Sequence, residues 1–207
     1  MARSAPSGSG KDSRRVPRTN NHGTIVRVKK EKISVTIRIA EPGDARAIAE
    51  MSRDHIESGL GWRYDQANIQ RAMRRRESVV LAASGRPTYV AGARPPLAGF
   101  AIMDFGDERA HLVLLAVQPM QRRLGIGRRL VDWLLESALV AGMASVHLEL
   151  RADNAAGRRF YRALGFSETV LIPHYYDGRE AAMRMIRVLR APGPLPLSWR
   201  PPVLGQK

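Results

Sequence analysis

The sequence predicts an α/β protein with one central mixed sheet and helices on both of its faces. Apolar residues recur with period two in some segments and with period 3.6 in others, and the two periods alternate along the chain. Glycine, proline and asparagine separate these segments. The length of 207 residues suits one such domain with terminal extensions better than two full domains.

The first half of the chain predicts a strand, two helices and three further strands. Residues 33–39 alternate in polarity and predict the first strand, and residues 43–58 predict a helix with Ile48, Met51 and Ile56 on one side. The remaining predicted elements are a helix over 65–76, a strand over 78–83, a loop over 85–96, and a hairpin of strands 97–104 and 110–117 turning at Gly106 and Asp107.

The second half predicts two helices and three strands. Residues 125–141 form the strongest helical pattern, and Gly142 supplies its C-terminal stop. A strand is predicted over 145–151, a helix from Asp153 or Asn154 to Gly165, and two last strands over about 166–173 and 181–189. The predicted order is β-α-α-β-β-β-α-β-α-β-β.

Charge and composition predict three regions. Residues 1–32 carry nine basic and two acidic residues and have no apolar run before residue 24, so they predict a basic, largely disordered tail. Residues 33–190 form the predicted folded domain, and the proline-rich residues 191–207 predict an extended C-terminal tail. Much of the formal net charge of +15 therefore lies outside the predicted domain.

The composition excludes several classes of site. The chain has no cysteine, so a disulfide framework, a thiolate metal site and a cysteine nucleophile are all excluded. His55 and Glu57 have no third ligand near them, and no metal is predicted. No apolar run approaches the ~20 residues that span a membrane. We expect a soluble, cytoplasmic protein.

A glycine-containing basic turn, residues 119–128, leads from a predicted strand into the long helix. Gly125 and Gly127 let the backbone turn so that several N–H groups point into one cavity. The helix start adds its positive dipole end, and the arginines add charge. The turn predicts either a pyrophosphate cradle or an ordinary glycine-capped helix start, and it has neither a Walker motif nor the third glycine of a dinucleotide fingerprint.

Three spaced motifs resemble the GNAT superfamily of N-acetyltransferases. Arg122-x-x-Gly125-x-Gly127 is similar to the family's acetyl-coenzyme A motif. The segments 148–156 and 160–166, and then 175–181, resemble the bacterial ribosomal-protein alanine N-acetyltransferases in particular. The resemblance covers roughly residues 33–190 and implies a mixed sheet of about six or seven strands flanked by about four helices. It also implies acetyl-coenzyme A as cosubstrate, bound by Leu115, Ala116, Val117, Arg122, Arg123, Leu124, Gly125, Ile126, Gly127, Arg128, Asn154 and Tyr161.

Acetyl transfer to an amine needs a base for the amine proton and an acid for the departing thiolate. Alternation in strand 145–151 puts His147, Glu149 and Arg151 on one face. Glu149 matches the glutamate of the family's segment and is the candidate base; the alternative is a structural ion pair with Arg151 or Arg122. The resemblance implies that Tyr161 protonates the sulfur, and the alternative is a core tyrosine.

The candidate acceptor residues come from two loops and one strand. Trp62 and Tyr64 lie in one loop and Tyr175 and Tyr176 in another, and these loops flank the acceptor groove in the fold that the resemblance implies. Exposed aromatic residues there suit peptide binding, and structural packing is the alternative. His111 is a further candidate for contact with the acceptor, with a half-buried structural histidine as the alternative.

Three functions remain open from the sequence. The leading one is acetyl transfer from acetyl-coenzyme A to a primary amine, with a protein or peptide N-terminus as the expected acceptor. The second is a nucleic-acid- or ribosome-binding protein that uses its basic tail, and steep salt dependence would distinguish it. The third is an acyl-coenzyme A sensor without turnover, which the presence of both Glu149 and Tyr161 argues against. The sequence leaves the oligomeric state, monomer or dimer, undecided.

Overall fold

A computed structural model describes residues 35–85 and 96–190 of the chain. Both predicted tails and the interior of the predicted 85–96 loop lie outside the described residues. The strands are β1 (Thr36–Ile39), β2 (Ser78–Ser84), β3 (Leu97–Phe105), β4 (Arg109–Val117), β5 (Ser145–Arg151), β6 (Ser167–Tyr176) and β7 (Glu180–Val188). The helices are α1 (Ala45–His55), α2 (Gln66–Arg74), α3 (Ile126–Val140) and α4 (Ala155–Arg162), with short 3-10 turns at Pro42–Asp44 and Pro119–Gln121.

The seven strands form one sheet in the order β1-β2-β3-β4-β5-β7-β6. Every neighbouring pair is antiparallel except β4 and β5, which run parallel. The predicted mixed sheet and its element order are thus confirmed. Strand β4 is antiparallel to β3, as the predicted hairpin requires, and parallel to its other neighbour, β5, which the chain reaches by a crossover through α3.

Alternation along the central strands produces two hydrophobic cores, one on each face of the sheet. Leu81 and Met103 point towards one core, which α3 completes with Leu130, Leu134 and other buried residues. The neighbouring strand residues Val80 and Ile102 point the opposite way, into a core completed by α1 and α2. Helices on both faces are therefore confirmed.

Several predicted boundaries shift for identifiable reasons. The predicted helix 43–58 begins with a 3-10 turn at Pro42 and ends at His55, where the N–H groups of Ile56 and Glu57 both bond to the Ser52 carbonyl. Strand β6 extends to Tyr176 through Pro173, because β6 is an edge strand and the missing N–H costs no ladder bond there. Helix α3 ends at Val140, and Gly142 follows with φ +80°.

No helix among residues 35–85 and 96–190 has the length and hydropathy that crossing a membrane requires.

Candidate active site

Strands β4 and β5 separate along the sheet and leave a wedge between them. They pair at only three positions, ending at His111 opposite His147, although the strands contain 9 and 7 residues. On its other side β4 carries a bulge at Val113, because Met103 faces Leu112 while Ile102 faces Leu114. Leu115, Ala116 and Val117 lie beyond the last β4–β5 pair, so the edge of β4 that faces β5 is not paired with that strand there.

The glycine-containing turn lies at the mouth of this wedge. Gly125 is the N-cap of α3, with φ +81°. The Arg129 N–H bonds to the Gly125 carbonyl at 3.0 Å, so the N–H groups of Ile126, Gly127 and Arg128 precede the helical ladder. These three groups and the helix dipole make an anion-binding site at the end of a 15-residue helix.

Basic and apolar side chains hold the turn in place. Arg122 Nε donates to the Val117 carbonyl at 3.1 Å, which ties the turn to the end of β4. Arg128 donates to the Ala163 carbonyl at 3.2 Å, which ties the start of α3 to the end of α4. Arg123 has a φ of +66°, and Leu124 packs partly buried against the core. The predicted coenzyme A residues of the turn thus lie together.

Helix α4 brings the other two predicted coenzyme A residues to the same face as α3. Asn154 caps α4, and its side-chain oxygen accepts from the Gly157 N–H at 2.8 Å. Tyr161 packs between Phe160 and Phe166, with edge-to-face ring distances of 5.0 and 5.6 Å. Burial, with a contribution from nearby Tyr176, raises the pKa of the Tyr161 phenol, so its hydroxyl stays protonated at neutral pH.

Glu149 lies on β5, just past the point where β4 and β5 separate. Its Oε2 lies 2.8 Å from His111 Nε2, and its Oε1 accepts from Arg184 Nε at 2.6 Å. The glutamate side chain is only 5% exposed. Desolvation alone would raise the pKa of Glu149, but the hydrogen bonds and charges of His111 and Arg184 outweigh it and hold the pKa at about 2. Glu149 is therefore ionised at every physiological pH.

The ion pair of Glu149 is formed with a different residue from those that the sequence suggests. Arg151 donates instead to the Ser58 carbonyl and forms an ion pair with Glu180, and Arg122 donates to the Val117 carbonyl. The actual partner, Arg184, lies directly opposite Glu149 on β7. No local pattern indicates Arg184, because the register between β5 and β7 depends on tertiary packing.

The two predicted acceptor loops are joined to each other by Asp177. The Gly61 N–H donates to Asp177 Oδ2 at 3.0 Å, and Arg63 lies 3.4 Å from Oδ1 of the same residue. The buried Glu57 carboxylate orders the first loop by accepting from the N–H groups of Arg63 and Tyr64 and from the Ser52 hydroxyl.

The four aromatic candidates of these loops occupy different environments. Trp62 is exposed under the Arg53 guanidinium, which lies 5.5 Å from its ring. Tyr64 is half-buried against the α1–α2 core. Tyr175 and Tyr176 pack edge to face at 4.9 Å, and burial first of all raises the pKa of Tyr176 to about 12.

The polar side chains on β4, β5 and β7 form a cluster that is better suited to proton transfer than to binding a metal ion. His111, His147 and Glu149 offer three ligand-type atoms within 4.8 Å of one another. Both Glu149 oxygens already have partners, and the Arg184 cation would repel a metal ion.

A seven-stranded mixed sheet with four helices, which opens between two parallel strands beside an anion-binding helix start, is consistent with the GNAT class of acetyltransferases. The chain belongs to this family: a model described as the acetyltransferase (GNAT) family matches residues 50–166.

Similarities to individual proteins agree with this family assignment. The chain is 40% identical over 92 residues to the [ribosomal protein bS18]-alanine N-acetyltransferase of Escherichia coli, an alignment that covers 43% of this chain and 62% of that protein. The crystal structure of the ribosomal-protein-S18-alanine N-acetyltransferase from Escherichia coli superposes with a TM-score of 0.63 at 28% identity, covering 78% of this chain and 99% of that chain.

A third similarity concerns the fold alone. The structure of Arabidopsis thaliana NAA60 in complex with acetyl-coenzyme A has a TM-score of 0.66 at 17% identity, covering 75% of this chain and 99% of that chain. These comparisons do not favour a nucleic-acid-binding scaffold or a sensor without turnover.

Proposed function

We propose that this chain transfers the acetyl group of acetyl-coenzyme A directly to a primary amine, and that the amine is the N-terminus of a protein or peptide. The wedge between β4 and β5 supports this proposal most strongly, because an anion-binding helix start and a partly buried proton-accepting pair both lie beside it. Similarity to a protein N-terminal acetyltransferase supports the acceptor class. The chemistry needs no other cofactor, and the expected compartment is the cytoplasm.

Different groups of the predicted coenzyme A residues would bind different parts of the cosubstrate. The N–H groups of Ile126, Gly127 and Arg128 would bind the pyrophosphate, with Arg122 and Arg123 supplying charge. Backbone groups of Leu115, Ala116 and Val117 on the edge that is not paired with β5 would bind the pantetheine amides and polarise the thioester carbonyl. The amide of Asn154 would reach the pantetheine arm, since only its oxygen is used in capping α4.

Glu149 and His111 act as one proton-accepting pair in this proposal. A carboxylate with a pKa of about 2 is a weak acceptor by itself at neutral pH. His111 is half-exposed to the wedge and bonded to Glu149, so its imidazole takes the proton while the carboxylate stabilises the resulting charge. An N-terminal amine needs little assistance, since its ordinary pKa is about 7.7–8.0.

Tyr161 is proposed to donate its hydroxyl proton to the departing sulfur. Tyr161→Phe removes only that hydroxyl, so we expect kcat to fall roughly 10²-fold while acetyl-coenzyme A binds within a few-fold of wild type. Alkaline pH should not restore the rate, because solvent then offers fewer protons. Steady-state kinetics against pH and calorimetric Kd values test this. Loss of acetyl-coenzyme A affinity with kcat unchanged would assign Tyr161 to binding instead.

Asp177 is proposed to hold the two acceptor loops in register. Asp177→Ala removes its bonds to Gly61 and Arg63, so we expect the KM for a peptide acceptor to rise about tenfold. The KM for acetyl-coenzyme A should stay within about twofold, because the turn before α3 is elsewhere. Glu50→Ala, which breaks an exposed ion pair with Arg46, is the matched control. Equal changes in both KM values would contradict the assignment.

The proposed function is tested by presenting labelled acetyl-coenzyme A with three acceptor sets: peptides with free N-termini, N-terminally blocked peptides containing lysine, and small amines. Mass spectrometry of the products should find the label on peptide N-termini. Label on lysine or on small amines alone would overturn the acceptor class, and label on none of the three would overturn the activity.

A further inference from the structure

A row of side chains crosses the face of the sheet that carries the proposed proton-accepting pair. Asp104 on β3 lies opposite His111 on β4, which lies opposite His147 on β5, which in turn faces Ile186 on β7. His147 is thus the immediate neighbour of His111, two residues before Glu149 on the same strand and face.

The two histidine rings are stacked on each other. Their centroids are 4.5 Å apart, and the ring planes are parallel, with an interplanar angle of 0°. Stacking covers one face of the His111 ring, while Glu149 Oε2 lies 2.8 Å from its Nε2. The contact with Glu149 therefore holds one edge of the His111 ring, and the stacked ring of His147 holds one of its faces.

Charge considerations assign the two rings different roles. Burial first of all, and then the charge that His111 can carry, lower the pKa of His147, although Glu149 acts in the opposite sense. His147 is therefore uncharged at neutral pH, and two stacked imidazoles cannot both hold a proton without a large repulsion. The proton that the pair gains in the reaction belongs on His111.

We propose that His147 is a positioning residue for the acetyl transfer: its uncharged ring, stacked on His111, holds that imidazole against Glu149 and keeps water from one of its faces. This inference rests on the proposed function and deepens it by assigning a residue to the same site. His147 itself touches neither substrate nor cosubstrate in this account.

Other charged groups around the rings have partners or fixed charges of their own. On β3, Asp104 bonds to Arg75 through both oxygens at 2.9 Å. On β7, Arg184 is held by Glu149. On β6, Tyr175 has a pKa raised by burial and by Glu149, so it stays neutral. A change in pH dependence on replacing His147 would therefore report on its contact with His111.

The test compares three variants on one peptide acceptor. His147→Ala removes the ring, His147→Phe keeps a stacking ring without nitrogens, and Ser145→Ala alters the same face of β5 at its far end. The measured quantity is kcat/KM of each variant divided by that of wild type at each pH from about 5.5 to about 9, a range that spans the ordinary titration of histidine. This ratio cancels the titration of the acceptor amine, which all the proteins share.

For His147→Ala, we expect the ratio of kcat/KM to that of wild type to be constant at high pH. Below pH ~7 this ratio should be about tenfold lower than at high pH. Removing the stacked ring lets water solvate positive charge at this site, and such solvation favours protonated forms that cannot accept a proton. The His147→Phe ratio should be flat, as should the Ser145→Ala ratio.

Two results would overturn the inference: a His147→Ala ratio that is lowered equally at every pH, or a His147→Phe ratio that slopes like that of His147→Ala. If His147→Ala does not fold, the same comparison with His147→Gln decides, since glutamine also lacks a ring. If the wild-type protein transfers no acetyl group at any pH, the proposed function itself is wrong. That result differs from both results that would overturn the role of His147, so the two failures are distinguishable.

Discussion

Replacing Glu149 with glutamine should lower kcat by roughly two to four orders of magnitude at neutral pH. The glutamine side chain would keep the shape of the glutamate but lose the negative charge that orients His111 and stabilises its protonated form. Raising the pH should recover part of the rate, because more of the acceptor amine is then neutral without help. The measurement is kcat against pH for the variant and for wild type.

Stability provides an internal check on this variant. The pKa of Glu149 lies at about 2 in the folded protein, below its ordinary value of 4.5, so its contribution to stability is complete above about pH 4.5 and is lost as the pH falls towards 2. Glu149→Gln should lack this part of the acid dependence of Tm. Glu168→Gln, which breaks the pair with Arg158 on α4, is the matched control and should lower stability without lowering kcat. A kcat of Glu149→Gln within about threefold of wild type corresponds to a change of less than about 1 kcal/mol in the activation barrier. That result would show that Glu149 has no catalytic role.

Replacing Gly125 and Gly127 together with valine should weaken acetyl-coenzyme A binding by at least roughly 10²-fold. Gly125 has φ +81°, which valine adopts only with strain, so the turn would lose the shape that presents its N–H groups. A Cβ atom on Gly127 would lie 3.3 Å from Phe160 Cζ, and the further atoms of valine would push α3 and α4 apart. Titration calorimetry with acetyl-coenzyme A measures the loss.

The other end of the same helix offers a matched control. Gly142 has φ +80°, and a Cβ atom there meets nothing within 4 Å, as at Gly125. Gly125→Ala and Gly142→Ala should therefore cost a similar free energy of unfolding, about 1–2 kcal/mol. Only Gly125→Ala should weaken acetyl-coenzyme A binding. Equal Kd values for the two alanine variants would contradict the assignment of the turn to the cosubstrate.

Much of the fold could be predicted because its signals are local. Strand β5 was predicted with its observed ends, since seven residues alternate strictly between apolar and polar side chains. The ends of α3 followed from Gly125 and Gly142, both of which adopt positive φ. The separation of β4 from β5 and the bulge at Val113 have no such signal. They arise from how two distant segments pair, which alternation within one strand does not encode.

The site could be predicted only as far as single strands and turns determine it. Alternation predicts that His147 and Glu149 share one face, and the glycine spacing predicts either a pyrophosphate cradle or an ordinary glycine-capped helix start. The partners of Glu149 come from β4 and β7, 38 and 35 residues away in the chain, so their contacts depend on strand register. The same reason explains why the sequence offers Arg151 and Arg122, and not Arg184, as possible ion-pair partners of Glu149. Asp177, which joins the acceptor loops, lies 116 residues from Gly61.

Simultaneous measurement of released thiol and acetylated peptide tests the central claim most directly. The protein has no cysteine, so a thiol reagent added to the reaction reports coenzyme A alone. Direct transfer at the wedge predicts that thiol and N-terminally acetylated peptide appear in equal amounts, at a rate that Glu149→Gln and Tyr161→Phe both lower. Without peptide, neither released thiol nor an acetylated form of the protein should accumulate. Thiol release that proceeds without an acceptor, or an acetyl group that remains on the protein, would contradict the account.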